Sequence, residues 1–288
     1  MNNEKIAIVT DSSSSIDFLP HKQYDNIFLV RMPIHFGSDE YIDGVTITVE
    51  EFYARIDQED IIPTTSQPSL GETLELYEKL RDEGYTDIIH LPISRGISGY
   101  YQSLFAIKDM ITGINIHIVD TKCTAVILGY IVLEAARLTK ENKSVQEVLE
   151  YCDYLANNYK VYFIVDDLKY LVKNGRLSNA AGFIGKVLNI KPILTFNYEG
   201  QIIGIEKIRT RKRAIRHIID LILEETKQYK RVQYLMSYAY NPPLIEELKE
   251  ATKENFDLNV FFESVMPSVI GAHVGSGICG LGYFILEK

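Results

Sequence analysis

Hydroxyl-bearing and cationic side chains gather in four short stretches of this sequence, and together they could hold an anion. Pro63-Thr64-Thr65-Ser66-Gln67-Pro68-Ser69 packs hydroxyls between two prolines just before a helix start. O–H and backbone N–H donors in such a place suit an anion, although a capped loop ahead of Ser69 accounts for the same residues. In Ile93-Ser94-Arg95-Gly96-Ile97-Ser98-Gly99-Tyr100-Tyr101-Gln102 an apolar strand enters a Gly/Ser turn that opens a helix. Ligands in open α/β sheets sit outside the carboxyl ends of strands, where this loop falls, and Ser98 fits equally as a helix N-cap. In Asn174-Gly175-Arg176-Leu177-Ser178, Gly175 reads as the residue past a helix end and Ser178 as the cap of the next helix. Arg176 between them is either solvated or reaches into a cleft to neutralise an anion. Finally, Pro267–Gly277 sets His273 among small and apolar residues, a setting shared by core histidines and functional ones.

Other chemistries lack their residues. Gly275-Ser276-Gly277-Ile278-Cys279-Gly280 is a formal GxGxxG, but a dinucleotide fingerprint needs a preceding strand, a following helix and an acid about 20 positions on. Eight residues follow Gly280 and they read as a strand, so the match is a decoy. The sequence holds no HExxH or paired Cys/His cluster for a metal, no GxxxxGK[ST] loop for ATP and no GxSxG elbow. Asp166 and Asp167 are adjacent at a helix start and so do not face one another as an acid pair.

These stretches need a scaffold. Apolar runs at Ile6–Val9, Ile27–Phe36, Thr86–Ile93 and Ile114–Val119 alternate with helical patterns at Thr48–Phe52 onward, Ser69–Gly84, Gly99–Met110 and Thr124–Lys140. That alternation predicts a mostly parallel sheet with helices on both faces. Beyond a helix at Ser144–Asn158 the character changes. A strand at Val161–Val165 is followed by a hairpin whose arms, Lys191–Phe196 and Gln201–Ile208, flank Asn197-Tyr198-Glu199-Gly200. Strands at Val232–Tyr238, Leu258–Val265 and Gly282–Leu286 then alternate with helices, predicting an α+β unit with a largely antiparallel sheet. The fold class is therefore α/β in two domains, 1–158 and 159–288, with a cleft between them.

At 288 residues with 46% hydrophobic and 24% charged side chains, the chain has ample material for such a core. Its net charge of −9 opposes binding to nucleic acid, which needs a positive field. One local exception is Lys207-Ile208-Arg209-Thr210-Arg211-Lys212-Arg213, extended by Arg216 and His217. Placed at a helix start, where acids are favoured, this cluster is either a solvated face or a docking surface for an acidic partner or acidic lipid heads. Neither a signal peptide nor a run of about 18 apolar residues is present, and Cys123, Cys152 and Cys279 are too scattered for a disulfide framework. A cytoplasmic location with buried free thiols is the expectation.

Taken in order, Thr10-Asp11-Ser12, Thr65-Ser66-Gln67-Pro68, Ser94-x-Gly96-Ile97-Ser98-Gly99, Val165-Asp166-Asp167-Leu168, Gly175-Arg176 and Gly271-Ala272-His273-Val274-Gly275-Ser276-Gly277 resemble the DegV family. The resemblance covers essentially the whole chain and is close to the fatty-acid-binding B subunits of bacterial fatty acid kinase. It implies a ligand rather than a cofactor: a long-chain fatty acid buried between two domains, its carboxylate held by Thr65 and Ser98 with Arg176 and His273 at the same end. Thr64, Ser66, Ser94 and Gly99 are further head-group candidates. It also implies a separate ATP-binding kinase subunit that phosphorylates the bound acid to an acyl phosphate for phospholipid synthesis. Arg209, Arg211, Lys212 and Arg213 are the candidate docking residues, with transient membrane-surface contact a second use. Arg95 departs from the small residue expected there.

Physical chemistry is consistent with that implication. Burying a chain of about 16 carbons is worth about 10–12 kcal/mol at about 0.8 kcal/mol per methylene, less the cost of ordering it. A carboxylate can follow only if hydroxyls and a cation replace its water. The competing reading is a stand-alone hydrolase or transferase acting through Ser98 and His273, which would turn over an ester without a partner.

Overall fold

The computed structural model describes residues 4–59, 61–183 and 190–287. The chain begins with β1 (Ile6–Asp11), an apolar run buried along its whole length, and β2 (Ile27–Val30) follows. Next come β3 (Pro33–Phe36), β4 (Asp39–Ile42), α1 (Val49–Gln58) and the short β5 (Thr64–Thr65). Continuing, α2 (Leu70–Asp82), β6 (Asp87–Leu91), α3 (Tyr100–Lys108), β7 (Asn115–Ile118), α4 (Ala125–Lys140) and α5 (Val145–Asn157) complete the first half. The second half contains β8 (Tyr159–Ile164), α6 (Lys169–Lys173), α7 (Ala180–Phe183), β9 (Lys191–Phe196) and β10 (Ile202–Ile208). It closes with α8 (Arg211–Thr226), β11 (Arg231–Tyr238), α9 (Pro242–Lys253), β12 (Phe261–Val265), α10 (Ser268–Val274) and β13 (Cys279–Glu287).

Among the described residues these strands form three sheets. The first, β2-β1-β6-β7, is wholly parallel, as the βα alternation predicts. The second, β10-β9-β8-β13-β11-β12, is antiparallel except for the parallel pair β11–β12. The third, β4-β3-β5, is small and antiparallel and was not foreseen. Its origin corrects the reading of Ile27–Phe36 as one strand. Pro33 has no N–H to give a central ladder and is tolerated at a strand's first residue. The chain therefore leaves the parallel sheet after Val30 and starts a new strand at Pro33, which carries Thr65 alongside Ile34.

Local signals set several helix starts. Thr48 and Glu51 form a reciprocal capping box: the Glu51 amide donates to Thr48 Oγ1 at 3.2 Å, and the Thr48 amide donates to the Glu51 carboxylate at 2.8 Å. Ser69 caps α2 through the Glu72 amide without the reciprocal bond. Helix α4 is apolar nearly all round and buried from Ala125 to Leu133, because it packs on β1 of the parallel sheet and on β11 and β12 of the mixed one. The three cysteines are free and buried, and burial pushes the thiols of Cys152 and Cys279 up to about 12 and that of Cys123 higher still. No helix among the described residues is long and apolar enough to cross a membrane.

The rejected GxGxxG is not followed by a helix. Gly275 ends α10, and Cys279 begins the strand β13.

Candidate functional site

Between the parallel and mixed sheets lie two adjoining chambers. The polar one is lined by Thr65, Ser66, Gln67, Ser98, Thr124, Arg176 and His273, with Met32, Ile93, Ile97 and Val269 among its apolar walls. The other is apolar, walled by Ala125, Val126 and Ile127 of α4, by residues of β8, β11 and β13, and by Phe196 and Met266. Thr124, Ile202, Ile270 and Val274 line both. About 510 Å³ in the apolar chamber and about 560 Å³ in the polar one are not filled by protein atoms, both figures including space open to solvent.

Each polar group arrives from a different element. Thr65 sits at the end of β5, half-buried, and its Oγ1 lies 2.8 Å from His273 Nε2 in the last turn of α10. His273 is mostly buried, and its Nδ1 has no hydrogen-bond partner among the described residues. Burial, and secondarily the Arg176 guanidinium, lower its pKa to about 4. Near neutrality the ring is uncharged, so the cation of this chamber is Arg176. That guanidinium donates to the Asn174 carbonyl at 2.7 Å, just beyond the left-handed turn at Gly175 (φ +67°) that ends α6. The Asn174 amide donates to Ala272 O at 3.2 Å and to Pro63 O at 3.4 Å, bringing the Thr65 loop, α10 and Arg176 together. Ser98 precedes Gly99, the N-cap of α3, and its Oγ accepts from the Tyr100 amide at 3.2 Å, leaving its O–H free to donate.

Thr65, Ser98, Arg176 and His273 are thus brought to one chamber. Ser66 also lines it, with its hydroxyl 2.8 Å from His35 Nε2. Three further candidates are not brought there. Thr64 alternates with Thr65 along β5, lies opposite His35 and is exposed. Ser94 is buried, donates to Gly200 O at 2.9 Å and accepts from the Gly96 amide, so its hydroxyl fastens the β9–β10 hairpin to the loop after β6. Gly99 is exposed and lines neither chamber. Arg95 is paired with Asp120 at 3.0 Å at the surface.

Two lining residues and one clamp escaped the sequence reading as site residues. Gln67 belongs to the hydroxyl stretch, and its Oε1 accepts from Ser103 Oγ at 3.1 Å. Thr124 was visible only as a helix start; its hydroxyl donates to Ser13 O at 3.2 Å. Asn174, beside Gly175, carried no signal beyond a turn.

The basic cluster divides. Arg211 is half-buried, bonded to both oxygens of Asp166 and 3.3 Å from Glu247, so it is a structural member rather than a free docking residue. The local reason is that Asp166 lies next to β9 and also binds Lys191 at 2.7 Å. Arg216 pairs with Glu254 and His217 with Glu206. Arg209, Lys212 and Arg213 are exposed, with no ion pair among the described residues.

The competing Ser98–His273 pair is not assembled as a nucleophile and base. His273 Nε2 faces Thr65 Oγ1, Nδ1 lacks the acid that would orient it, and Ser98 Oγ serves the Tyr100 amide.

Fold and site together define an α/β protein with a buried, two-chambered cavity between a parallel and a mixed sheet. The chain belongs to the DegV family, whose model matches residues 5–286. It is 37% identical to a DegV domain-containing protein of Staphylococcus aureus over 97% of both chains, and 34% identical to one of Streptococcus pneumoniae over 97% of this chain and 98% of that one. Among solved structures, it resembles the fatty acid binding DegV family protein of Streptococcus agalactiae at a TM-score of 0.89 and 29% identity, covering 98% of this chain and 99% of that one. It resembles the fatty acid binding protein DegV of Bacillus subtilis at 0.86 and 31%, with the same coverage.

Proposed function

We propose that this chain is a fatty-acid carrier. It buries the tail of one long-chain fatty acid in the apolar chamber and holds the carboxylate among Thr65, Ser98 and Arg176. It then presents that carboxylate to a separate ATP-binding kinase subunit, giving an acyl phosphate for phospholipid synthesis. The observation that carries the reading is the adjoining of a largely apolar chamber to one lined by hydroxyls and a guanidinium. That asymmetry matches a single amphiphile: an alkyl tail gains from leaving water, and its anionic end keeps its hydrogen bonds. The solved relatives from Streptococcus agalactiae and Bacillus subtilis are fatty acid binding proteins, which supports it. A cytoplasmic chain that exchanges lipid at a membrane surface fits the reading, and Arg209, Lys212 and Arg213 would then meet the kinase or anionic lipid heads.

The test is denaturing extraction of the purified chain followed by mass spectrometry, then incubation of the loaded protein with the kinase subunit and ATP. A fatty acid near one-to-one and kinase-dependent acyl phosphate are the expected results. Another lipid class, or ester turnover by this chain alone, would overturn the reading.

A further inference from the structure

The wall of the apolar chamber has an unusual central strand. Cross-strand rows on the face of the mixed sheet that lines the chamber read Phe163–Gly280–Ser237 and Val161–Gly282–Leu235, so β13 presents a glycine in the middle of each. No side chain stands on β13 in either row, and β8 closes over both glycines: a Cβ on Gly280 would lie 2.7 Å from Phe163 Cβ, and one on Gly282 2.6 Å from Lys160 O. The next row on the same face is Tyr159–Phe284–Gln233, where Phe284 returns a large side chain to β13. Phe284 is fully buried. Its ring stacks on Tyr130 with centroids 4.9 Å apart and an interplanar angle of 27°, and Tyr159 leans on it at 5.9 Å.

Helix α4 repeats the sequence of events. Its chamber-lining residues are Ala125, Val126 and Ile127, and Tyr130 stands one turn further on, on the same face as Val126 and Ile127. Strand and helix therefore line the apolar chamber with small or aliphatic residues and meet beyond it in an aromatic stack. The lining ends before that stack. From Gly280 to Phe284 the strand advances about 14 Å.

We infer that Phe284, held by Tyr130, is the floor of the tail channel and sets the longest acyl chain the protein accepts. This rests on the carrier reading and adds a length-determining residue to it. Trimming the floor opens space beyond the last chamber-lining row of β13, so a longer tail extends into it; the polar end, on other elements, is untouched.

The test uses the delipidated full chain and a series of saturated acids from dodecanoic to docosanoic, competed against a fluorescent fatty acid. Wild type should show a length beyond which affinity falls. Phe284→Leu should move that limit upward by about two methylenes, with a gain of about tenfold for the first acid wild type rejects. Should Phe284→Leu fail to fold, Tyr130→Leu opens the same stack from the helix side and should shift the limit in the same direction. A folded variant of either kind whose length profile superimposes on wild type would overturn the floor assignment alone. If wild type binds no acid of any length, the carrier reading fails and the floor with it.

Discussion

Thr65 Oγ1 and His273 Nε2 lie 2.8 Å apart and tie the short β5 to the last turn of α10. With a neutral imidazole carrying its proton on Nε2, the ring donates to Thr65, whose own O–H is then free to donate into the polar chamber. On the proposed head-group assignment, Thr65→Ala and Ser98→Ala each remove one hydrogen bond to a carboxylate, worth about 1.5–3 kcal/mol. Fatty-acid affinity should drop about 10- to 100-fold in each, read by displacement of a fluorescent acid, with the thermal midpoint little changed. Wild-type affinity in both variants would refute the head-group assignment.

Acid should weaken the delipidated fold through His273. Its folded pKa, about 4, lies below the ordinary imidazole value of 6.5, so the unfolded chain takes up a proton first as pH falls. This contribution to stability is intact above about pH 6.5 and is lost progressively towards pH 4. His273→Gln should therefore lose less stability than wild type over that interval, measured as urea midpoint against pH. Parallel curves would show that the ring titrates normally.

Asp43 has the opposite sign. Burial raises its carboxyl to about 6, against the opposing pull of the neighbouring Ser12 and Ser268 hydroxyls and the Arg31 guanidinium. The folded state thus holds a proton that the unfolded state releases, and stability falls as pH rises from about 3.8 to 6. Asp43→Asn should remove that fall; the same urea series decides it.

Gly200 is the seat of the hairpin on the parallel half. Its φ is +73°, and an added Cβ would lie 2.1 Å from Ser94 Oγ. Gly175 has a similar φ of +67° with nothing within 4 Å. Gly175→Ala should cost about 1–2 kcal/mol for the left-handed backbone alone. Gly200→Ala should cost clearly more, because it also breaks the Ser94 bond. Equal losses in urea unfolding would mean the seat carries no load.

Charge reversal separates the basic residues. Arg211→Glu places an acid against Asp166 and Glu247 and should lower the unfolding midpoint. Arg209→Glu with Lys212→Glu should leave both midpoint and fatty-acid affinity unchanged while reducing kinase-dependent phosphorylation. Unchanged phosphorylation would remove the docking role.

Much of this architecture was legible because local signals agreed with the tertiary outcome. The apolar run before Thr10-Asp11 made a buried strand, and Thr48 with Glu51 made a capping box. The four candidate head-group residues stand out because hydroxyls, Arg and His fall at strand ends and helix starts. What sequence could not tell was direction. Thr64 and Thr65 are chemically alike, and only the pairing of β5 on β3 turns one inward. Ser94 and Ser98 differ in use because Gly200, 106 positions away, claims the first. Arg211 looked like its basic neighbours until Asp166 folded against it.

The two glycines of β13 have a thermodynamic consequence as well. Side chains around a guest usually surrender rotamers when it arrives, but a backbone-only surface has none to give up. A stretch of this protein's interior is thus preorganised by composition, like a mould with no moving parts. Its contour can be altered only by bending the sheet.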